Sequence, residues 1–163
     1  MTPKEYEEIW ADFMAHDDPM IVSEHRASFT NTHELADQLH DRADITLFPI
    51  SATRFEAVTA ARQLEQEGIR CNVVHLLWLK PFAVEERMRA ALDRSGVGLV
   101  IDVGHEIAGA SQAVAYALNQ ATGRPVAALG LQDATKCLCP PLQNRYPDAE
   151  AVCRRVKEIL NRS

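Results

Sequence analysis

Clustered positive charge is the first thing this sequence lacks. Lys and Arg number 17 against 23 Asp and Glu, for a net charge of −6. The one adjacent Arg pair, Arg154-Arg155, sits on an expected helix. Nucleic acid is excluded as the natural partner, because neutralising phosphates needs a basic surface. Apolar runs fall far short of the ~20 residues that cross a bilayer, and the acidic, polar N-terminus has no signal-peptide core. Cysteine is scarce too: Cys71, Cys137, Cys139 and Cys153 make no disulfide scaffold, so a reduced, cytoplasmic protein is expected. Internal repeats and low-complexity linkers are missing. The C-x-C at Cys137 and Cys139 has no second Cys/His pair at finger spacing, so its thiols read as small packed hydrophobes rather than metal ligands. No Ser/His/Asp grouping can be assembled.

What is there is regular alternation. Hydrophobic residues make up 47% of the 163, enough for the core of one domain. "ITLFPI" (45–50) reads as a strand and "TRFEAVTAARQLEQEG" (53–68) as a helix, with Phe55, Val58, Ala61 and Leu64 inward and Gly68 as its stop. "RCNVVHLLWL" (70–79) is a strand containing a core histidine, His75, and Lys80-Pro81-Phe82 is a turn with a hydrophobic plug. "AVEERMRAALDRSG" (83–96) is a helix, and "VGLVIDV" (97–103) a strand buried on both faces. The helix "AGASQAVAYALNQATG" (108–123), the strand "RPVAALGL" (124–131) and the helix "DAEAVCRRVKEIL" (148–160) complete the series. Strand and helix in alternation predict a doubly wound, mostly parallel α/β sheet over residues 41–163.

Residues 1–40 stand outside that grammar. Thr2-Pro3-Lys4-Glu5 is a capping box with proline at the first helical position. It favours a natural start at Met1 and opens a helix over 3–15, whose Tyr6, Ile9, Trp10, Phe13 and Met14 form one apolar stripe. Met20-Ile21-Val22 predicts a short strand over 20–24 that ends in His25 and Arg26. Residues 31–42 have a partial helical character.

Two places carry candidate chemistry. His25 and Arg26 at a strand tip present cationic groups suited to an anionic ligand, with surface solubility as the plainer explanation. His105 and Glu106 in "IDVGHEIAGAS" (101–111) follow a strand, where open α/β sheets place functional groups. The same turn opens a helix whose N-terminus could cradle an anion. It is neither G-x-G-x-x-G nor a Walker loop, and its small residues equally serve close helix–sheet packing. No cofactor loop, metal triad or activated nucleophile accompanies them.

Taken together the segments resemble the C-terminal third of thiamine-diphosphate enzymes of the transketolase superfamily, most like the β-subunit of 2-oxo acid (pyruvate) dehydrogenases. "ADITLFPISATRFEAVTAARQLEQEGIRCNVVHLLWLKPF" is similar to the family's D-[IV]-T-L strand, A-x-x-A-A-x-x-L helix, E-G-I turn, second strand and L-x-P close. "GLVIDVGHEIAGASQAVAYAL" is similar to its V-x-x-x-x-E…G-G-x-[GA] segment, with Ala108-Gly109-Ala110 where the family has paired glycines. "RPVAALGLQD" and "CPPLQNRYPDAEAVCRRVKEIL" resemble its last strand, proline-bearing loop and final helix.

The resemblance implies that residues 1–40 are the end of a preceding pyrimidine-binding domain. The G-D-G…N-N metal motif and the pyrimidine-domain glutamate are absent from this sequence. The chain alone is therefore expected to bind no cofactor and to be inactive. Thiamine diphosphate and Mg would belong to an assembled enzyme, held by partner subunits that carry the diphosphate- and pyrimidine-binding domains. In the sugar-phosphate branch an arginine at the end of this strand contacts the substrate phosphate, a place that falls on Arg26 or, one residue earlier, on His25. The implied function is subunit assembly and shaping of an active-site entrance, with His25, Arg26, His105 and Glu106 as the expected substrate contacts. The alternatives are a subunit of a split transketolase-like enzyme acting on sugar phosphates, and a non-catalytic module that binds a small anion.

Overall fold

The computed structural model describes residues 1–134, 139 and 145–161, the side chain of Ala27 excepted. Two compact units divide the chain, Met1–Ala36 and Asp37–Ser163.

The first unit is built around helix α1 (Pro3–Ala15). Its capping box forms as the sequence predicts. Thr2 Oγ1 accepts from Glu5 N at 3.4 Å, and Glu5 Oε2 accepts from Thr2 N at 2.8 Å. Glu24 gathers three donors: the Tyr6 hydroxyl, the terminal ammonium (3.2 Å) and the Ser28 hydroxyl (3.1 Å). Burial by itself would raise the Glu24 carboxyl, but these donors outweigh it and hold the group below its ordinary range. The same hydrogen bond pushes the Tyr6 phenol up to about 12. The expected strand over 20–24 does not form, and a short 3₁₀ turn, Arg26–Ser28, follows instead. A strand is defined by hydrogen bonds to a neighbour, and no strand of this unit lies among its described residues. Ile21 is 95% exposed.

In the second unit four strands form one parallel sheet in the order β2-β1-β3-β4. They are β1 (Ile45–Pro49), β2 (Cys71–Val73), β3 (Gly98–His105) and β4 (Val126–Leu131). Helices α2 (Thr53–Gln66), α3 (Glu86–Ser95), α4 (Ala110–Thr122) and α5 (Ala149–Leu160) cover the two faces. Alternate residues of β1 divide between them. Ile45 and Leu47 join Ala57, Leu64, Val152 and Val156 of α2 and α5, while Phe48 joins Met88, Leu92, Val114 and Leu118 of α3 and α4. Each fully buried aliphatic side chain contributes about 1.5–3 kcal/mol of transfer free energy. The doubly wound expectation holds because strands clothed on both sides need apolar residues at successive positions.

Several boundaries differ from those expected. β2 stops at Val73, although one further bridge joins Ile50 to Leu76. The 31–42 segment forms no helix; Gln38 instead pairs antiparallel with Val73. Helix α2 turns Ala57, Ala60, Ala61 and Leu64 inward and leaves Phe55 only half-buried. The helix stop is as read: Gly68 adopts φ 80° just beyond the last turn. Phe82 packs against the α3–α4 side of the core, as its plug role requires.

Buried polar groups lock the layers together. Thr46 Oγ1 donates to the Ala91 carbonyl at 3.0 Å, and Asn72 Nδ2 reaches the same oxygen at 3.1 Å, tying β1, β2 and α3. Asn72 Oδ1 in turn accepts from His40 N at 2.7 Å.

Candidate functional site

From β1 the chain runs outward to β2, then returns to place β3 on the other flank of β1. Strand order therefore reverses between β1 and β3, and ligands of open α/β sheets bind outside the carboxyl ends at such a reversal. Here that rim consists of Ile50 to Arg54 after β1 and Asp102 to Ala110 around the end of β3.

On the β1 side Ser51 takes φ 57°, a left-handed turn between strand and helix. Thr53 closes it: its hydroxyl lies 2.7 Å from Ile50 O and 2.9 Å from Ile101 O. Ile50 N also donates to Ile101 O at 2.8 Å, so the ends of β1 and β3 form one rigid rim. Arg54, in the first turn of α2, is only 3% exposed.

On the β3 side the turn is dictated by close backbone approach. A Cβ at Gly109 would sit 1.9 Å from the His105 carbonyl oxygen, and one at Gly130 would meet Gly104 O at 2.7 Å and Glu106 N at 2.8 Å. Glu106 N donates to Leu131 O at 2.9 Å, which fastens the turn to β4. Ala108 holds φ 59°, in the left-handed region that favours glycine.

Asp102 is the group that sequence reasoning missed. It is 6% exposed, within a strand that otherwise reads as apolar. Burial raises its carboxyl above the ordinary range, while backbone N–H groups of Gly104, Val103 and Ser111 pull it back down. Ser111 stands in the first turn of α4, so the expected anion cradle faces the chain's own carboxylate. A phosphate or diphosphate there would meet a like charge, and these residues do not fit that group. The signal was legible in "LVIDV", where one acid interrupts a buried run.

Of the four expected site residues, His105 and Glu106 are brought together as the last residue of β3 and the one after it. His105 is exposed and Glu106 half-buried. His25 and Arg26 are adjacent in the first unit, at the Arg26–Ser28 turn rather than on a strand tip, with Arg26 exposed. Among the described residues no group of three or more His, Cys, Asp and Glu is placed to hold a metal. No helix among them is long and apolar enough to cross a membrane. Cys71 and Cys153 are buried as expected, but Cys139 is exposed, against the packed-thiol reading, and Cys137 lies outside the described residues.

The model of the family described as transketolase, C-terminal domain, matches residues 34–146. This chain belongs to the transketolase C-terminal domain family. A solved split-gene transketolase, described as an inactive β4 tetramer, is similar at 24% identity and a TM-score of 0.64. The alignment covers 80% of this chain and 44% of that one. A 2-oxoglutarate:ferredoxin oxidoreductase from Magnetococcus marinus is similar at 16% identity and a TM-score of 0.56, over 82% of this chain and 20% of that one. The chain thus spans less than half the length of either structure, and both share its fold. The transketolase C-terminal fold accounts for the parallel sheet and the rim described above.

Proposed function

We propose that the chain is the C-terminal-domain component of a thiamine-diphosphate-dependent enzyme of the 2-oxo acid dehydrogenase kind. It would serve to pair subunits and to shape the mouth of an active site built by other chains. Residues 1–40 would complete the pyrimidine-binding domain of such a partner, and the chain would supply at the entrance at most His25 or Arg26 from its first unit, or His105 or Glu106 from its second. The cofactor, held with Mg by those chains, would supply the thiazolium carbanion that attacks a carbonyl before transfer of an acyl or two-carbon unit.

The observation that carries this reading is the surface of the first unit. Helix α1 has no buried residue, and Trp10 (65%), Met14 (67%) and Ile21 (95%) expose a concentration of apolar area typical of interaction sites. Arg26, exposed in the same unit, supports a second reading in which the assembled enzyme is a split transketolase acting on sugar phosphates. The anion-module alternative is weakened by Asp102 at the α4 N-terminus.

The test is reconstitution. The tagged chain is purified from its own source, co-purifying chains are screened for the G-D-G…N-N motif, and thiamine-diphosphate-dependent turnover is assayed on the complex with 2-oxo acids and with sugar phosphates. A stoichiometric complex that loses its partner chain on Trp10→Asp is the expected result. Recovery of the chain without any motif-bearing partner overturns the proposal.

A further inference from the structure

The first unit carries the net charge of the entire chain. Met1–Ala36 holds eight of the 23 acids and two of the 17 basic residues, Lys4 and Arg26, for a net −6. Asp37–Ser163 holds fifteen of each sign and is neutral. Exposed apolar area gathers in the same unit. Of the eleven large hydrophobic side chains exposed among the described residues, seven lie within Met1–Ala36. An acidic segment that serves only as a solvated arm has few aromatic residues, so this combination calls for a partner.

Helix α1 sorts the two properties around one axis. At about 100° per residue, Ile9, Phe13, Tyr6, Trp10 and Met14 follow one another around a single stripe. The Trp10 and Phe13 rings lie 5.7 Å apart within it. Glu7 falls at the Met14 edge of the stripe and Asp12 at the Ile9 edge. Glu7 is exposed, and 43% of the Asp12 side chain is too, with His16 Nδ1 3.6 Å from its carboxylate. Lys4 is the one Lys or Arg of the helix, and its last turn holds no basic residue. Asp17-Asp18 then place further acid just beyond the C-terminal end, where the helix dipole favours a cation. Helix stability by itself does not explain that choice of charge.

We infer, resting on the reading of this unit as a subunit contact, that the α1 stripe and its acidic edges dock on a different protein chain, one that presents an apolar face edged by Lys and Arg. Charge decides the occupant. A second copy would bring a further −6 in its first unit and no net positive charge in its second. Nucleic acid and anionic membrane surfaces are repelled for the same reason. A cationic chain is steered in by the opposite charge. Its Lys and Arg side chains then lie beside Glu7 and Asp12 while Trp10 and Met14 lose their water, the usual division between a polar rim and an apolar centre.

In the test, the purified full chain is titrated with a helical peptide of about two heptads of leucine and lysine, patterned to give one apolar face edged by lysine. Trp10 and Trp78 are the two tryptophans, so a Trp10→Phe variant supplies the Trp78 background. Trp10 emission should shift to the blue on binding, and affinity should fall at least about tenfold between about 50 mM and about 500 mM NaCl. The same peptide with glutamate for lysine should not bind, and the Glu7→Lys/Asp12→Lys variant should reverse that preference. Circular dichroism of this variant should match the wild type, because both replaced side chains reach solvent. No binding of the leucine–lysine peptide, equal binding of a scrambled peptide of the same composition, or an unchanged preference after charge reversal would each overturn the inference. In the complex recovered by the reconstitution above, a carbodiimide should join Glu7 or Asp12 to lysines of the partner. A motif-bearing partner linked only outside Met1–Ala36 overturns this inference and leaves the proposed function standing. Peptide binding as expected, with no motif-bearing partner recovered, does the reverse.

Discussion

Arg87 Nη1 lies 2.7 Å from Asp37 Oδ2, joining the start of the second unit to the front of α3. The same guanidinium reaches the His75 carbonyl at 3.2 Å, and the other oxygen of Asp37 accepts from His75 N at 2.8 Å. One pair of side chains thereby holds the segment leading to Gln38 against β2, where the sheet would otherwise present an unpaired edge.

Arg87→Leu should loosen that edge first. The pair is partly solvated, with 35% and 23% of the two side chains exposed, so the loss is set at about 1 kcal/mol, below the usual range for a charged hydrogen bond. Hydrogen exchange at the amides of Gln38, Val73 and His75 should speed up before the global melting temperature moves much. Unchanged protection there would show that the backbone bridge suffices.

The turn after β3 should tolerate change at one position and refuse it at the next. Gly109→Ala places a methyl group on the His105 carbonyl oxygen and should cost more than ~2 kcal/mol, since backbone must move. Ala108→Gly removes a left-handed penalty of ~1–2 kcal/mol but loosens the unfolded chain by ~0.5–1 kcal/mol, for a small net gain. Thermal melts of the two single variants should therefore move in opposite directions.

Asp102 makes stability depend on pH in a direction opposite to most surface acids. Its folded pKa is raised above the unfolded one, so its contribution is fully present below the unfolded value and is lost as pH rises through the folded value. Asp102→Asn should flatten the fall in stability from about pH 4 upward. Denaturant melts of both proteins across that range should converge at acid pH and separate towards neutrality, the variant being the more stable.

The thiols should sort by burial. Burial pushes Cys71 up to about 12, and it is 2% exposed, whereas Cys139 is open to solvent. Iodoacetamide at neutral pH should label Cys139 in the native protein and Cys71 only after denaturant, as read by peptide mass mapping, because the thiolate is the reactive form.

Much of the second unit could be read from residue order alone. Alternating strand and helix patterns, glycine stops and the small-residue turn at 104–110 depend on local periodicity and backbone freedom. Those signals do not require the distant partner to be known. Local pattern does not suffice where a residue's state depends on a neighbour far along the chain. Ile21 and Val22 have strand-forming side chains but no strand beside them, and Gln38 bonds to Val73 through a pairing that no local pattern announces.

The candidate site divides along the same line. That His105 and Glu106 lie at the end of a strand was legible, because strand ends are local. That Asp102 turns beneath α4, and that Thr53 bridges the ends of β1 and β3, came from the crossover connections that bring separated segments together. The chain's own order determined its elements and its family pattern. Only tertiary packing decided which polar groups are buried and which apolar faces remain exposed, since burial is a property of what surrounds a residue.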